Sequence, residues 1–216
     1  DVVNHALEGS PKSLDELRAN LSVGTFQLGA SYFTGKNLDV IAKGVESLKE
    51  GTGKSSATIV YDSTIDPFTD DGFFDHVKGK QNIAIVGFTA DGDMFGGFYS
   101  VAVDSQGGST FDTNIFAFSF ESHGRCETPQ RFLVKEEKKD EAYVFFCKDD
   151  DNGFVWFGDF GGGFILGNEK SNSFCQNLSS VFEGIQDTTL TGQNNPGSSD
   201  NGEYHHCTRL VAVQLQ

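Results

Sequence analysis

The sequence predicts an α+β fold, a two-sheet antiparallel β-sandwich with peripheral helices. Three observations support this: many short apolar runs with strand periodicity, 26 glycines in 216 residues, and few segments with helical spacing. The 21 phenylalanines, against one tryptophan and one methionine, indicate a stiff aromatic core. A chain of this length buries about 70% of its unfolded surface, so a substantial core is available.

Residues 1–54 are predicted to form a helical lead-in followed by a linker. Ser13 and Glu16 have capping-box spacing, which predicts a short helix that ends near residue 20. Asn37 is the predicted cap of a second helix over residues 38–50, in which Gly44 costs about 1 kcal/mol relative to alanine unless packing compensates. Residues 55–216 are predicted to form the sandwich domain.

The sandwich begins with a predicted strand over residues 57–61 and a short helix over residues 70–77. That helix should direct Phe73, Phe74 and Val77 inward.

Residues 83–88 and 94–99 are predicted to form a hairpin. Asp91-Gly92 predicts a tight two-residue turn between them, because such turns need positive φ values. The Gly96-Gly97 pair in the return strand indicates either a bulge or a close approach of another backbone.

Alternation of large and small residues predicts a half-buried strand with Phe116, Phe118 and Phe120 on one face. Residues 131–134 and 143–146 are predicted to pair as another hairpin across a charged segment. Strands over residues 155–157 and 164–166 flank three glycines that should allow close packing; these are Gly161, Gly162 and Gly163. A polar loop over residues 191–202 precedes a final strand at residues 210–213.

The net charge of −15 argues against nucleic-acid binding and against association with polyanionic membrane surfaces. It suits solubility, a basic protein partner or weak binding of divalent cations. The four widely spaced cysteines and the lack of a long apolar span predict a reducing, cytosolic setting without membrane insertion. The chain begins at Asp1 rather than at Met, which fits a module of a longer protein.

An ordered set of motifs resembles the TLDc domain family over residues 57–216, and the lead-in is similar to helices that some members carry. The motifs are an Asp-Gly pair at a helix, an apolar strand, a second Asp-Gly turn, a Phe-Gly-Gly strand, a Phe-x-Phe strand, a glycine run and an apolar terminal strand. The residues that carry these motifs are Asp71, Gly72, Asp91, Gly92, Phe95, Gly96, Gly97, Phe116, Phe118, Gly161, Gly162 and Gly163. Many relatives place Glu after the glycine run, where this chain has Phe164.

The resemblance implies a regulatory module linked to oxidative-stress protection, with subunits of the vacuolar proton pump as candidate protein partners. It supplies no catalytic or cofactor-binding residues, and fold analogy does not establish a reaction. We therefore expect a non-catalytic, cytoplasmic, protein-binding domain without a cofactor. The alternative is an enzyme, either a hydrolase or a thiol-based peroxide scavenger.

Two segments resemble known ligand-binding loops. Residues 51–55 are similar to the end of a phosphate-binding loop, but Leu48 occupies the position of its first glycine and a helix precedes it, so a linker is favoured. Asp149, Asp150 and Asp151 are predicted to form an acidic loop and are a weak candidate cation site, because Lys148 stands where a calcium loop needs its first carboxylate.

Candidate catalytic and metal-binding side chains are scattered along the chain. His205 and Cys207 could converge with Cys175 on a metal, although buried structural groups are the stronger interpretation. A hydrolytic triad could combine one serine, one histidine and an aspartate without any supporting motif; its candidates are Ser63 or Ser173 and His76 or His123. Cys126 lies beside the basic residue Arg125, a neighbour that can lower the pKa of a thiol.

Overall fold

The structure, a computed structural model, describes residues 36–148, 153–168, 170–171, 173–194 and 205–216. The strands are β1 (Ala57–Asp62), β2 (Ile83–Thr89), β3 (Met94–Tyr99), β4 (Ser109–Phe111), β5 (Phe116–Glu121), β6 (Gln130–Leu133), β7 (Tyr143–Phe146), β8 (Val155–Gly158), β9 (Gly163–Leu166), β10 (Cys175–Gln176) and β11 (Cys207–Leu215). The helices are α1 (Lys36–Thr52), α2 (Asp70–Val77) and α3 (Leu178–Val181), and Glu136–Lys138 form a 3-10 turn.

Two antiparallel sheets pack face to face, which confirms the predicted α+β sandwich. The six-stranded sheet has the order β1-β11-β2-β3-β5-β6, and the five-stranded sheet has the order β10-β9-β8-β7-β4. The final strand of the chain, β11, is therefore central, between β1 and β2. Its alternating side chains contribute to the cores on both sides of the six-stranded sheet.

Helix α1 covers the outer face of the six-stranded sheet. Ile41, Val45 and Leu48 are buried there, at helical spacing, with the Phe116 and Phe118 rings of β5. The opposite side of β5 is buried as well, against the second sheet. The strand is thus enclosed on both faces, and the prediction of a half-buried strand is wrong.

The aromatic core lies between the sheets. Phe157 stacks on Phe164 with ring centroids 5.3 Å apart, and Phe95 meets Phe164 edge-on at 5.9 Å. A Cβ on Gly96 would lie 1.7 Å from the Ile85 carbonyl oxygen, so the predicted close approach of another backbone occurs at this residue. Gly97 instead makes room for a side chain, because its Cβ would lie 2.5 Å from the Phe157 ring. The irregularity of the β3–β5 pairing lies instead between Met94 and Phe95.

The β2–β3 hairpin forms, but its turn differs from the predicted two-residue type. The Thr89 N–H donates to the Asp93 carbonyl, and the Gly92 N–H donates to the Thr89 carbonyl. Three residues, 90–92, therefore form the loop, and Gly92 takes φ +94°, as expected after a type I turn. Thr89 Oγ1 accepts the Asp93 N–H at 3.0 Å, which stabilises this wider turn.

Strands β6 and β7 do not pair, so the hairpin predicted for residues 131–134 and 143–146 is wrong. β6 is an edge strand of the six-stranded sheet beside β5, whereas β7 lies between β4 and β8 in the other sheet. The charged segment between them crosses from one sheet to the other. Both strands bury a ring between the sheets, Phe132 and Phe146, and this shared pattern is why the sequence resembles a hairpin there.

Helix α2 has the predicted bounds and buries Phe73, Phe74 and Val77 as expected. Thr69 caps it, because its Oγ1 accepts the Gly72 N–H at 3.1 Å.

Helix α1 is longer than predicted at both ends. It begins at Lys36, so Asn37 lies in its first turn rather than at the cap position, and it continues to Thr52. The helix predicted to end near residue 20 and residues 195–202 of the polar loop lie outside the described residues.

Candidate functional site

The outer face of the five-stranded sheet carries aromatic side chains that no described helix covers. Residues of β7 and β8 alternate between core and surface, so Val144 and Phe157 point inward and Trp156 points outward. We call this surface the aromatic face; its rings are Phe111, Tyr143, Phe145, Trp156, Phe160 and Phe174.

Two rings of the aromatic face are strongly exposed. Among the described residues, three large apolar side chains are exposed, and two of them lie here: Phe160 at 79% and Phe111 at 57%. Tyr143 lies between them, with its ring centroid 5.2 Å from that of Phe160 and 6.1 Å from that of Phe111. Tyr143 itself is buried, so the exposed apolar surface consists of the two flanking rings, and exposed apolar patches are a feature of interaction sites.

An open cavity of about 460 Å³ lies along this face. Trp156, Ile165 and Tyr143 line it, together with one carboxylate, Asp159; its described lining contains no cationic side chain. Burial, reinforced by the negative charge of Asp159, raises the pKa of the Tyr143 hydroxyl, which stays neutral at physiological pH. The cavity is thus lined mainly by rings, with one buried carboxylate at its wall.

The loop between β8 and β9 presents Phe160 to solvent. Asp159 Oδ1 accepts the N–H groups of Gly161 and Gly162 at 2.6 and 2.9 Å, and its Oδ2 lies 3.0 Å from Lys138 Nζ. The hydrogen bond to Asp159 is the main cause that raises the pKa of Lys138 to about 12. These contacts fix the base of the loop and leave the Phe160 ring outside.

A second polar cluster lies beside the β2–β3 turn. Buried Asp93 binds the Arg125 guanidinium, and its Oδ1 lies 2.8 Å from His123 Nδ1. Arg125 also donates to the Thr189 and Leu190 carbonyls at 3.0 Å, so the cluster joins three loops. An Asp–His pair can orient a general base. Within the described part of the chain, however, no serine or cysteine side chain hydrogen-bonds to His123.

The other candidate triad residues are not brought together. Ser63 Oγ accepts the Leu210 N–H at 3.0 Å, and Ser173 Oγ is buried without a hydrogen-bond partner in the structure as described. His76 Nδ1 lies 2.6 Å from the Gly72 carbonyl oxygen. The structure places neither candidate serine against a candidate histidine.

His205, Cys175 and Cys207 are packed in the core. Burial lowers the pKa of His205 to about 4 and raises those of both thiols to about 12. The His205 ring meets Phe95 edge-on at 5.2 Å. All four cysteines are free thiols, and the described residues contain no group of three or more His, Cys, Asp or Glu that could hold a metal ion.

The two loop hypotheses have different outcomes. Asp149, Asp150 and Asp151 lie outside the described residues, so cation binding there stays a prediction. The segment similar to a phosphate-binding loop is the end of α1, which closes with Gly53 at φ +68°.

The glycines and rings that carry the family resemblance occupy structural positions. Gly72 packs on Pro67, whose carbonyl oxygen would lie 2.7 Å from a Cβ, and Gly96 leaves no room for one beside the Ile85 carbonyl. A Cβ on Gly162 would lie 2.5 Å from the Asn177 carbonyl oxygen. The others are distributed as follows: Asp71 in the first turn of α2; Asp91 and Gly92 in the hairpin loop; Phe95 and Gly97 facing the inner core; Phe116 and Phe118 under α1; Gly161 and Gly163 at the β8–β9 turn.

Sequence reasoning did not single out the aromatic face. The run at residues 143–146 consists entirely of large apolar residues, so its sequence does not show which side of the strand faces solvent. The detectable signal was Phe160, a large ring between Asp159 and a glycine run in a turn.

No protein-family model matches the chain, and no curated protein is significantly similar to it in sequence. Within the described residues, no helix has both the length and the apolar character that crossing a membrane requires.

Proposed function

We propose that this protein is a non-catalytic interaction module that binds a basic segment of a partner protein on its aromatic face. The observation that carries the proposal is the exposure of Phe160 and Phe111 on either side of Tyr143. Aromatic rings are enriched at protein interfaces because they bury a large apolar area with few rotatable bonds.

The charge of the protein indicates the kind of partner. The protein carries a net charge of −15, and the described lining of the cavity contains no cationic side chain. Its one carboxylate, Asp159, is buried and paired with Lys138, so the attraction for a basic segment comes from the overall acidic surface and from the rings. Lysine and arginine side chains are attracted to the faces of aromatic rings, and an acidic surface increases their rate of association. A segment that alternates basic and apolar residues fits both properties of the site.

The resemblance to the TLDc family gives this module a biological setting. It supports a regulatory role in oxidative-stress protection in the cytoplasm, with subunits of the vacuolar proton pump as the candidate partners. The enzyme alternative has less support: the thiols of Cys175 and Cys207 are buried with pKa values of about 12, and the candidate triad residues are separated.

A direct test uses Trp156, the one tryptophan of the chain, as a reporter on the aromatic face. A synthetic peptide of alternating lysine and leucine is titrated while tryptophan fluorescence is recorded, and a glutamate–leucine peptide serves as the charge control. We expect saturable binding of the lysine peptide that weakens with added salt. Equal binding of both peptides, or no response to either, would contradict the proposal.

Variants then locate the contact. Phe160→Ala removes a ring that is 79% exposed, so its effect on folding should be small, and binding should fall about tenfold or more. Leu133→Ala is the matched control, because Leu133 is 52% exposed on an edge strand of the other sheet. Identical binding by wild type and Phe160→Ala would remove the aromatic face from the proposal.

The proton-pump part is tested separately by retention of purified pump subunits on the immobilised protein at low and high salt. Wild type and Leu133→Ala should retain the same subunit, and Phe160→Ala should not. If the protein binds the lysine peptide but retains no pump subunit, the interaction module is supported and the proton pump is excluded as its partner.

A further inference from the structure

A second cavity has the opposite electrostatic character. It encloses about 390 Å³ at one edge of the six-stranded sheet, beside the end of α1, which is within the range of small-molecule sites. Lys54, Arg131 and Lys139 line it, and none of its described lining residues is acidic. In a protein with 16 lysines and arginines against 31 acidic residues, a cavity with three cations and no carboxylate departs strongly from the average surface.

The cations are largely available to a ligand. Arg131 and Lys54 form no ion pair among the described residues, and the Arg131 guanidinium makes no hydrogen bond there. Lys139 is paired with exposed Glu136 at 2.5 Å, a contact that contributes little in solvent. A guanidinium offers five N–H donors in a fixed planar geometry that matches carboxylate and phosphate oxygens.

Two neighbours hold Arg131 in place. Its guanidinium lies 5.6 Å from the centre of the Phe116 ring, within the distance of a cation–π contact. It also fills the space next to Gly51, where a Cβ would lie 1.8 Å from one of its nitrogens. The cation is therefore positioned by packing, without an anionic partner from the protein.

Part of the positive charge at the cavity is balanced by the C-terminal end of α1. A helix C-terminus carries about half a negative charge, which favours nearby lysine and arginine side chains. Three cations exceed that partial charge, so positive potential remains for a ligand. Asp112 lies behind the cavity wall, where it accepts the Asn114 N–H at 2.9 Å and the Ser100 hydroxyl at 2.8 Å.

The rest of the cavity suits an apolar body with polar edges. Phe98 and Ile115 line it, and so does Leu133, whose side chain is 52% exposed. The Asn114 side-chain amide lies at the same cavity and donates to Ser100 Oγ at 3.2 Å.

We propose that this cavity binds a small organic anion. Its carboxylate or phosphate group contacts Arg131 and Lys54, and its apolar part lies against Leu133 and Phe98. The site is separate from the aromatic face and does not depend on the function proposed for it.

The probe is 1-naphthyl phosphate, which combines a planar apolar group with a dianion, and 1-naphthol is its neutral control. Binding is measured by calorimetry, and the backbone amide signals of residues 100, 114 and 131 are followed by NMR in the wild-type protein. We expect saturable binding of the phosphate, weaker binding of the naphthol, and shifts concentrated at those amides. Arg131→Gln should weaken binding about tenfold, and Lys54→Gln less.

Lys78→Gln is the matched control, since Lys78 is an exposed lysine at the end of α2 and outside the cavity lining. It should bind the phosphate as wild type does, and so should Phe160→Ala. Equal affinity for both probes, shifts that avoid the cavity, or undiminished binding by Arg131→Gln would overturn the proposal. The NMR shifts in the wild-type protein show whether the phosphate binds in the cavity, even where a variant loses stability.

Discussion

The Phe120 ring occupies the space that a side chain at residue 44 would need: a Cβ on Gly44 would lie 2.5 Å from its ring carbons. This contact brings the backbone of α1 close to β5 and lets Ile41 and Val45 reach the sheet. The glycine that weakens the isolated helix is thus required by the packing of that helix.

Replacing Gly44 with alanine should lower the free energy of unfolding by about 1–3 kcal/mol. Alanine favours the isolated helix by about 1 kcal/mol, but the clash with Phe120 forces the helix or the ring to move. Urea unfolding followed by circular dichroism measures the difference. Gly108→Ala is the control, because nothing lies within 4 Å of its Cβ position, and it should change stability little. A more stable Gly44→Ala protein would show that α1 does not pack as described.

A buried ion pair connects the first and last strands. Arg209 Nε donates to Asp62 Oδ1 at 2.9 Å, and both side chains are less than 10% exposed. Arg209→Met should lower the free energy of unfolding by about 3–5 kcal/mol, because the Asp62 carboxylate is left buried without its cation. Denaturant unfolding gives the magnitude.

Two further variants separate charge from packing in that prediction. Adding Asp62→Asn to Arg209→Met should recover part of the loss, because no uncompensated charge remains. Lys49→Met removes the pair with Glu46, whose carboxylate is 58% exposed, and should change stability by less than about 1 kcal/mol. Equal effects of Arg209→Met and Lys49→Met would contradict the buried-pair interpretation.

Local sequence patterns correctly predicted those elements whose structure depends mainly on their own residues. Helix α2 has the bounds that its apolar spacing indicates, and the hairpin before Gly96 forms where the Asp-Gly pair lies. Pairing between distant strands was harder to predict, because β6 and β7 carry similar apolar runs yet belong to different sheets. The aromatic face and the cationic cavity were missed for the same reason: Tyr143 and Phe111, or Lys54 and Arg131, meet only after folding.

Stability should fall as the pH is lowered through the interval between the two pKa values of His205. Burial lowers its pKa to about 4 in the folded protein, against 6.5 for an unperturbed histidine. Between these values the unfolded chain binds a proton that the folded protein does not. The neutral His205 therefore costs no stability above about pH 6.5. As the pH falls from about 6.5 to about 4, protonation of the unfolded chain lowers the free energy of unfolding by up to about 3 kcal/mol.

His205→Phe should flatten this part of the stability profile, because a phenyl ring can keep the edge-on contact with Phe95 without titrating. Thermal unfolding across the interval measures the effect relative to wild type. His206→Gln, at the exposed neighbouring position, should leave the profile almost unchanged. An unchanged profile in the His205 variant would mean that other groups cause the acid sensitivity.

Iodoacetamide should alkylate Cys126 well before Cys175 and Cys207 in the folded protein. Cys126 is only partly buried, whereas the other two thiols are enclosed and their raised pKa values leave almost no thiolate at neutral pH. Peptide mass spectrometry over time gives the order, and denatured protein gives the unprotected rates. Cys126→Ser should abolish the fast alkylation.

Peroxide consumption tests the thiol enzyme directly. A variant with all four cysteines changed to serine should consume hydrogen peroxide no more slowly than wild type. Rapid alkylation of Cys175 or Cys207, or peroxide consumption that the fourfold variant loses, would instead favour a thiol enzyme.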